Sequence, residues 1–118
     1  MNKIYHLANC DTCQRIIKEI GHTDQFEYQN IKEENISPAE LDNIKGKVGS
    51  YEALFSKRAM KYRMWGLNNM KMTEQKYRQY MLDEYTFLKR PFIIIGDQVF
   101  IGNTKAVVLA AKKAIDAR

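Results

Sequence analysis

Both cysteines of the chain fall within one ten-residue stretch, "HLANCDTCQR" at positions 6–15, with Asp11 and Thr12 between Cys10 and Cys13. Thiols spaced this way admit three kinds of chemistry: half of a metal site, a structural disulfide, or a redox pair. A closed zinc site commonly takes four protein ligands, from two such pairs or from one pair followed by two closely spaced histidines. Here the only histidines are His6 and His22, sixteen residues apart and flanking the pair, which argues against zinc. His6 falls in a strand-like run, where a packed neutral histidine is the ordinary outcome. A structural disulfide closing so short a loop would constrain the unfolded chain little. The redox reading has the firmer physical basis. Cys10 falls in a turn before a helix and Cys13 in the first helical turn, where amide N–H groups and the helix dipole favour an anion. The thiolate is the attacking form, so a lowered pKa makes Cys10 the nucleophile. Cys13, one turn further in, is placed to attack a mixed disulfide on Cys10 and release the partner. Asp11 weakly opposes this by adding negative charge.

The elements that must position this pair are legible along the chain. Residues 3–8, "KIYHLA", read as a first strand. The run "CQRIIKEI" follows with Ile16, Ile17 and Ile20 at helical spacing, and Gly21 stands where such a helix stops. Residues 25–31, "QFEYQNI", read as a second strand with Phe26, Tyr28 and Asn30 alternating. Together these make a βαβ unit with parallel strands. In "SPAE", Ser37 caps a helix, Pro38 takes its first position and Glu40 completes a capping box; Leu41 and Ile44 give it an apolar face, and Gly46 and Gly49 end it. A short helix is expected over "YEALFS". A longer one starts near Thr73, with Tyr77, Tyr80, Met81, Tyr85 and Leu88 as a packing stripe.

The last third is different: "PFIIIGDQVFIG" is two β-rich runs about Gly96-Asp97, a tight antiparallel hairpin. The final stretch, "NTKAVVLAAKKAIDA", is an amphipathic helix capped by Asn103 or Thr104, with Val107, Val108, Ala111 and Ile115 inward. The order β-α-β, helices, β-β-α predicts an α/β, thioredoxin-like fold with a mixed four-stranded sheet. One domain spans 1–118, with 1–36 and 89–118 as its core and 37–88 as a helical insertion.

Composition narrows the setting. The chain has 118 residues, enough for one core, and no apolar run long enough to span a membrane. With no leader of signal-peptide length at Met1, a cytoplasmic location is expected, where structural disulfides are rare. The formal charge of +5 is modest and serves solubility, or attraction to a small oxyanion, a nucleotide or an acidic protein face. Lys57, Arg58, Lys61 and Arg63 cluster, and Lys89-Arg90 precede a proline. No helix-turn-helix pattern or continuous basic face points to direct nucleic-acid binding. Met60, Met64, Trp65, Met70 and Met72 are expected to fill gaps in a small core; the other reading is a partner surface.

The stretches "IYHLANCDTCQR", "ALFSKRAMKYRMWGL" and "LKRPFIIIGDQVFIGN" together resemble the arsenate reductase ArsC/Spx/YffB family over essentially the whole chain. In that family a cysteine follows the first strand, an arginine lies in the helical insertion and Arg-Pro precedes the third strand; Cys10, Arg58 and Arg90-Pro91 match. "SKRAMKYR" is similar to the family's Asn-x-Arg-Gly-x-x-x-Arg stretch, with Ala59 in place of glycine and Arg63 as the second arginine. The resemblance implies that Arg58 and Arg90 hold an anionic group or stabilise the Cys10 thiolate. It also implies that Pro91 follows a cis peptide, and that Asn9, Lys57 and Pro91 contribute to substrate binding. Arsenate-reducing members share a third arginine in the fourth strand, where this chain has Val99, Phe100, Ile101 and Gly102; four residues after the nucleophile, Gln14 stands where many have arginine. Cys13 is shared with the Spx branch.

Two functions follow. The first is a thiol-disulfide oxidoreductase acting on an oxyanion, a disulfide or a glutathione adduct, with no metal or tightly bound cofactor and with glutathione, a glutaredoxin or a thioredoxin as electron donor. The second is an Spx-like redox-sensing regulator that contacts RNA polymerase.

Overall fold

The β-favouring runs form four short strands, β1 (Asn2–His6), β2 (Glu27–Asn30), β3 (Phe92–Ile95) and β4 (Gln98–Ile101). They make one mixed sheet of order β2-β1-β3-β4, with β1 and β2 parallel and the other neighbours antiparallel. Parallel neighbours need a crossover, which α1 (Asp11–Ile20) supplies. This computed structural model describes residues 1–118 in two units, residues 1–34 with 90–118 and residues 35–89.

In the first unit, one sheet face is isoleucine-rich because alternate strand residues share a face. Ile4, Ile93 and Ile95 meet Ile16 and Ile20 of α1, Phe26, and Val108, Ala111 and Ile115 of the C-terminal helix α5 (Lys105–Asp116). Full burial of an isoleucine side chain contributes about 1.5–3 kcal/mol, so this cluster is what holds α1, and the residues at its start, against the sheet. Thr104 caps α5 by accepting from the Val107 N–H at 3.3 Å. Gly96 takes φ +60° in the β3–β4 turn, a conformation that side-chain-bearing residues rarely adopt.

β2 differs from its expected phase. Tyr28 faces outward and its hydroxyl donates to the Thr23 carbonyl at 2.9 Å. Gln29 faces inward, where its amide donates to the Glu34 carbonyl at 2.9 Å and so satisfies a buried polar group.

The second unit begins with α2 (Pro38–Val48), started as its sequence dictates. Ser37 accepts from the Glu40 N–H at 3.2 Å and donates to the Glu40 carboxylate at 3.1 Å, and Gly49 ends the helix at φ +105°. Gly46 lies inside α2 rather than ending it. "YEALFS" forms only a 3-10 turn at Glu52–Leu54, followed by α3 (Met60–Met64) and α4 (Glu74–Asp83). The tyrosine stripe outlasts its helix: Tyr77 and Met81 are buried on α4, whereas Tyr85 opens a separate 3-10 turn because Glu84 is extended. Phe55 stacks on Phe87 at 5.0 Å and meets Tyr77 at 4.9 Å and Tyr62 at 5.8 Å. These rings already fill the interior, so Met60, Met64, Trp65 and Met70 do not pack as core gap-fillers; they are exposed, and Met72 is half-buried. No helix is long and apolar enough to cross a membrane.

Candidate active site

After β1 the chain turns through Leu7, Ala8 and Asn9 into Cys10, whose N–H donates to the Leu7 carbonyl at 3.0 Å. Two side chains pin the Ala8 peptide. The Asn30 carbonyl oxygen accepts the Ala8 N–H at 3.2 Å, and the Gln14 amide donates to the Ala8 carbonyl. Asn30 is not legible as a site residue from motif matching, and Gln14 is marked there only as standing where many family members have arginine. Asn30 had a signal nonetheless: parallel register pairs it with His6, and a βαβ unit places the ends of its two strands side by side. His6 itself is half-buried, meets the Tyr28 ring edge-on at 5.8 Å, and is held toward its neutral form by burial.

Cys10 is the N-cap of α1 with extended backbone, and its carbonyl accepts the first helical bond from Gln14 N–H at 3.1 Å. No side-chain hydrogen bond caps the helix in the resting thiol. The thiolate fares differently. Partial burial opposes it, but the Cys13 amide, the Cys13 thiol, the Thr12 amide and the Arg90 charge together hold the Cys10 pKa below the ordinary thiol value. Cys13 is fully enclosed, and burial above all pushes its pKa up to about 11; the Leu7 amide opposes this, while the charge and hydrogen bonding of Cys10 reinforce it and Arg90 opposes it. The two thiols thus differ in environment, one partly accessible at the helix start and the other enclosed beneath it.

Arg90 reaches this pair through sheet register. β1 and β3 pair Tyr5 with Phe92. Carried further along, the same register sets Pro91 across from His6 and Arg90 across from Leu7, at the root of the cysteine turn. The Arg90–Pro91 peptide is cis, Pro91 is buried, and its carbonyl accepts the Gly102 N–H at 3.0 Å. Asn9 is exposed in the turn before Cys10. Cys10, Cys13, Arg90 and Pro91 therefore gather within the first unit.

Lys57 and Arg58 belong to the second unit, between the 3-10 turn and α3. Lys57 is paired with Glu52 at 2.6 Å. Arg58 is exposed and carries no ion pair. No three histidine, cysteine, aspartate or glutamate side chains gather as a metal site.

A dithiol at a helix start, beside an Arg–cis-Pro, on a β-α-β/β-β-α sheet can be compared with known families. The sequence model of the ArsC family matches residues 5–111. The chain belongs to the ArsC family. As a member it is an oxidoreductase-like enzyme. An arsenate reductase from Vibrio cholerae superposes with a TM-score of 0.77 at 17% identity, covering 93% of this chain and 96% of that one. A Staphylococcus aureus protein gives 0.73 at 24% identity, with 91% and 94% covered. An arsenate reductase (ArsC) related protein from Brucella melitensis gives 0.64 at 23% identity, with 92% of each chain covered. These likenesses concern the thioredoxin-like ArsC fold. No curated protein sequence matches the chain significantly.

Proposed function

We propose that this ArsC-family member is a thiol-disulfide oxidoreductase in which Cys10 is the nucleophile and Cys13 resolves. The observation that carries the reading is the placement of two thiols three residues apart, Cys10 partly accessible as the N-cap of α1 and Cys13 fully enclosed beneath it, which favours the thiolate of the first and the thiol of the second. The Cys10 thiolate attacks one sulfur of a disulfide or glutathione adduct, forms a mixed disulfide and expels the other half as a thiolate. Once Cys10 is so bonded, its negative charge no longer raises Cys13. Cys13 then loses its proton, attacks the Cys10 sulfur and releases the second thiolate. Two electrons have passed from the dithiol to the substrate, and the Cys10–Cys13 disulfide awaits reduction by glutathione, a glutaredoxin or a thioredoxin.

Arg90, in the same unit as the two thiols, stabilises the thiolate by charge and holds an anionic substrate group by charge-assisted hydrogen bonds. Lys57 belongs to the second unit, where its ammonium is engaged by Glu52 at 2.6 Å. A glutathione adduct or small disulfide suits this site better than arsenate, whose several charged oxygens need more donors than Arg90 and backbone amides provide. The reaction belongs in a reducing, cytoplasmic compartment. The rival proposal, an Spx-like regulator on RNA polymerase, draws on the same dithiol and differs in lacking turnover.

The test is steady-state turnover of the reduced chain with a glutathione mixed disulfide and with arsenate, each with glutathione and glutaredoxin, beside Cys10→Ser. Turnover of the disulfide that vanishes in Cys10→Ser supports the reading. A chain with no turnover that retains polymerase subunits in a pull-down would displace it.

A further inference from the structure

Apart from Val48 at the end of α2, the large exposed apolar side chains of the second unit lie in α3 or shortly after it in sequence. Met60 and Met64 are 80% and 70% exposed, and Trp65 and Met70 are 44% and 39% exposed. Met60, Arg63 and Met64 stand at i, i+3 and i+4 and so share one helical face. Exposed apolar side chains concentrated in one short segment mark a binding surface, and methionine, tryptophan and arginine are the side chains such surfaces favour.

Charge says what sort of partner fits. Residues 53–73 contain five cations, Lys57, Arg58, Lys61, Arg63 and Lys71, and no aspartate or glutamate. Two are neutralised from outside the stretch, Lys57 by Glu52 at 2.6 Å and Lys61 by Glu84 at 2.7 Å. The side chains of Arg58, Arg63 and Lys71 have no ion pair or hydrogen bond. The surface therefore couples uncovered methionines to unneutralised cations. An occupant must bring an apolar stripe and carboxylates together.

We propose that the α3 surface docks an acidic, amphipathic helical segment of a partner protein, its apolar stripe on Met60, Met64 and Trp65 and its carboxylates on Arg63, with Arg58 and Lys71 adding to the positive field. Unbranched methionine side chains adapt to such a stripe, and the helix-on-apolar-surface mode is a common one. A nucleic acid would satisfy the cations but leave the methionines uncovered. It would also find no free stacking platform, since the Lys61 ammonium lies over the Trp65 ring at 5.9 Å while Phe87 and Tyr80 pack against it at 5.4 Å and 6.2 Å. A membrane surface is met by longer apolar faces than this helix of five residues offers.

Trp65 is the sole tryptophan, so its emission reports on this surface directly. The experiment titrates the full reduced chain with a synthetic leucine–glutamate amphipathic helix of about 16 residues. Parallel titrations use the same peptide with lysine for glutamate, a single-stranded oligonucleotide, and phosphatidylserine vesicles. The acidic peptide should shift Trp65 emission saturably, more weakly at raised salt, and should move amide resonances of residues 58–71. Arg63→Glu, and separately Met60→Ser with Met64→Ser, should each weaken binding roughly fivefold or more. These residues are exposed, so circular dichroism should be unchanged, and Cys10→Ser should bind as the wild type does. Absence of any shift, an equal response to the lysine peptide, binding of only the oligonucleotide or vesicles, or indifference to the variants would each overturn the proposal.

Discussion

Replacing Cys13 by alanine should alter stability in a way that depends steeply on alkaline pH. In the wild type this thiol is 0% exposed, so removing its sulfur leaves a small void costing about 1 kcal/mol, and the hydrogen bond it gives the Cys10 thiolate adds roughly as much. Wild type should therefore be the more stable chain near pH 9. Above that, the balance changes. The Cys13 pKa rises from an ordinary 9.0 to about 11, burial being the main cause. The unfolded chain loses this proton near pH 9 while the native chain keeps it to about pH 11, so the stabilisation is fully present below the unfolded value and lost as pH rises through the folded one. The linkage is worth about 2–3 kcal/mol. That is enough to erase or invert the wild-type advantage near pH 11. Lysines and tyrosines titrating in the same range are common to both chains and cancel in the comparison. Urea unfolding of wild type and Cys13→Ala, in excess phosphine reductant at several pH values from about 8 to 11, measures the difference. A difference that stays constant across that range would refute the claim that the fold holds Cys13 neutral.

Alkylation at mildly acidic pH with mass mapping should label Cys10 first; preferential labelling of Cys13 would reverse the two roles. Asn30→Ala removes the acceptor for the Ala8 N–H, a bond worth about 0.5–1.5 kcal/mol, and should slow Cys10 alkylation at low pH while lowering the melting temperature by only a few degrees; an unchanged alkylation profile would show that the turn holds itself. Arsenate reduction should be poor, since a charge-assisted hydrogen bond contributes about 1.5–3 kcal/mol and its loss weakens transition-state binding roughly 10- to 150-fold. Ile101→Arg should raise arsenate turnover, and is a better position than Gly102, whose φ of +91° would strain an arginine. Efficient arsenate reduction by the unmodified chain would show that the absent arginine matters little.

Features encoded by neighbours in sequence were the legible ones. Ser37, Pro38 and Glu40 start α2, Thr104 starts α5, and Gly96-Asp97 turns the hairpin, because caps and turns are decided within a few residues. Cys10 at the start of α1 belongs to the same class. Features decided by distant partners were not. Spacing alone carried the tyrosine stripe past Asp83, but Glu84 is extended, its carboxylate accepting from Thr86 and pairing with Lys61 at 2.7 Å. Aromatic alternation put Tyr28 inward, whereas Gln29 takes the inner face because the Glu34 carbonyl satisfies it. Methionines read as core because the sequence does not reveal that Phe55, Tyr62, Tyr77 and Phe87 already fill the interior. For the candidate site, motif matching pointed to both thiols, Arg90 and Pro91, which fall in one unit, while the contacts of Asn30 and Gln14 with the Ala8 peptide depended on strand register and loop path.

The pairing of β1 with β3 has a consequence for how the protein acquires its reactivity. Ile4 lies across from Ile93, so that contact closes a loop of about ninety residues. The β1-α1-β2 segment and the β3-β4-α5 segment each consist of local contacts, and closing so long a loop between them carries an entropic cost that short-range contacts avoid. The two halves should therefore assemble separately, with the join between them late. Cys10 leaves the ribosome early in synthesis, but Arg90 comes alongside it only when that join is made. Until then the thiol lacks its guanidinium neighbour and the cover of a completed sheet. Chain closure thus adds the last and smallest of the groups that favour the Cys10 thiolate, after the amides of Thr12 and Cys13 are already in place at the start of α1.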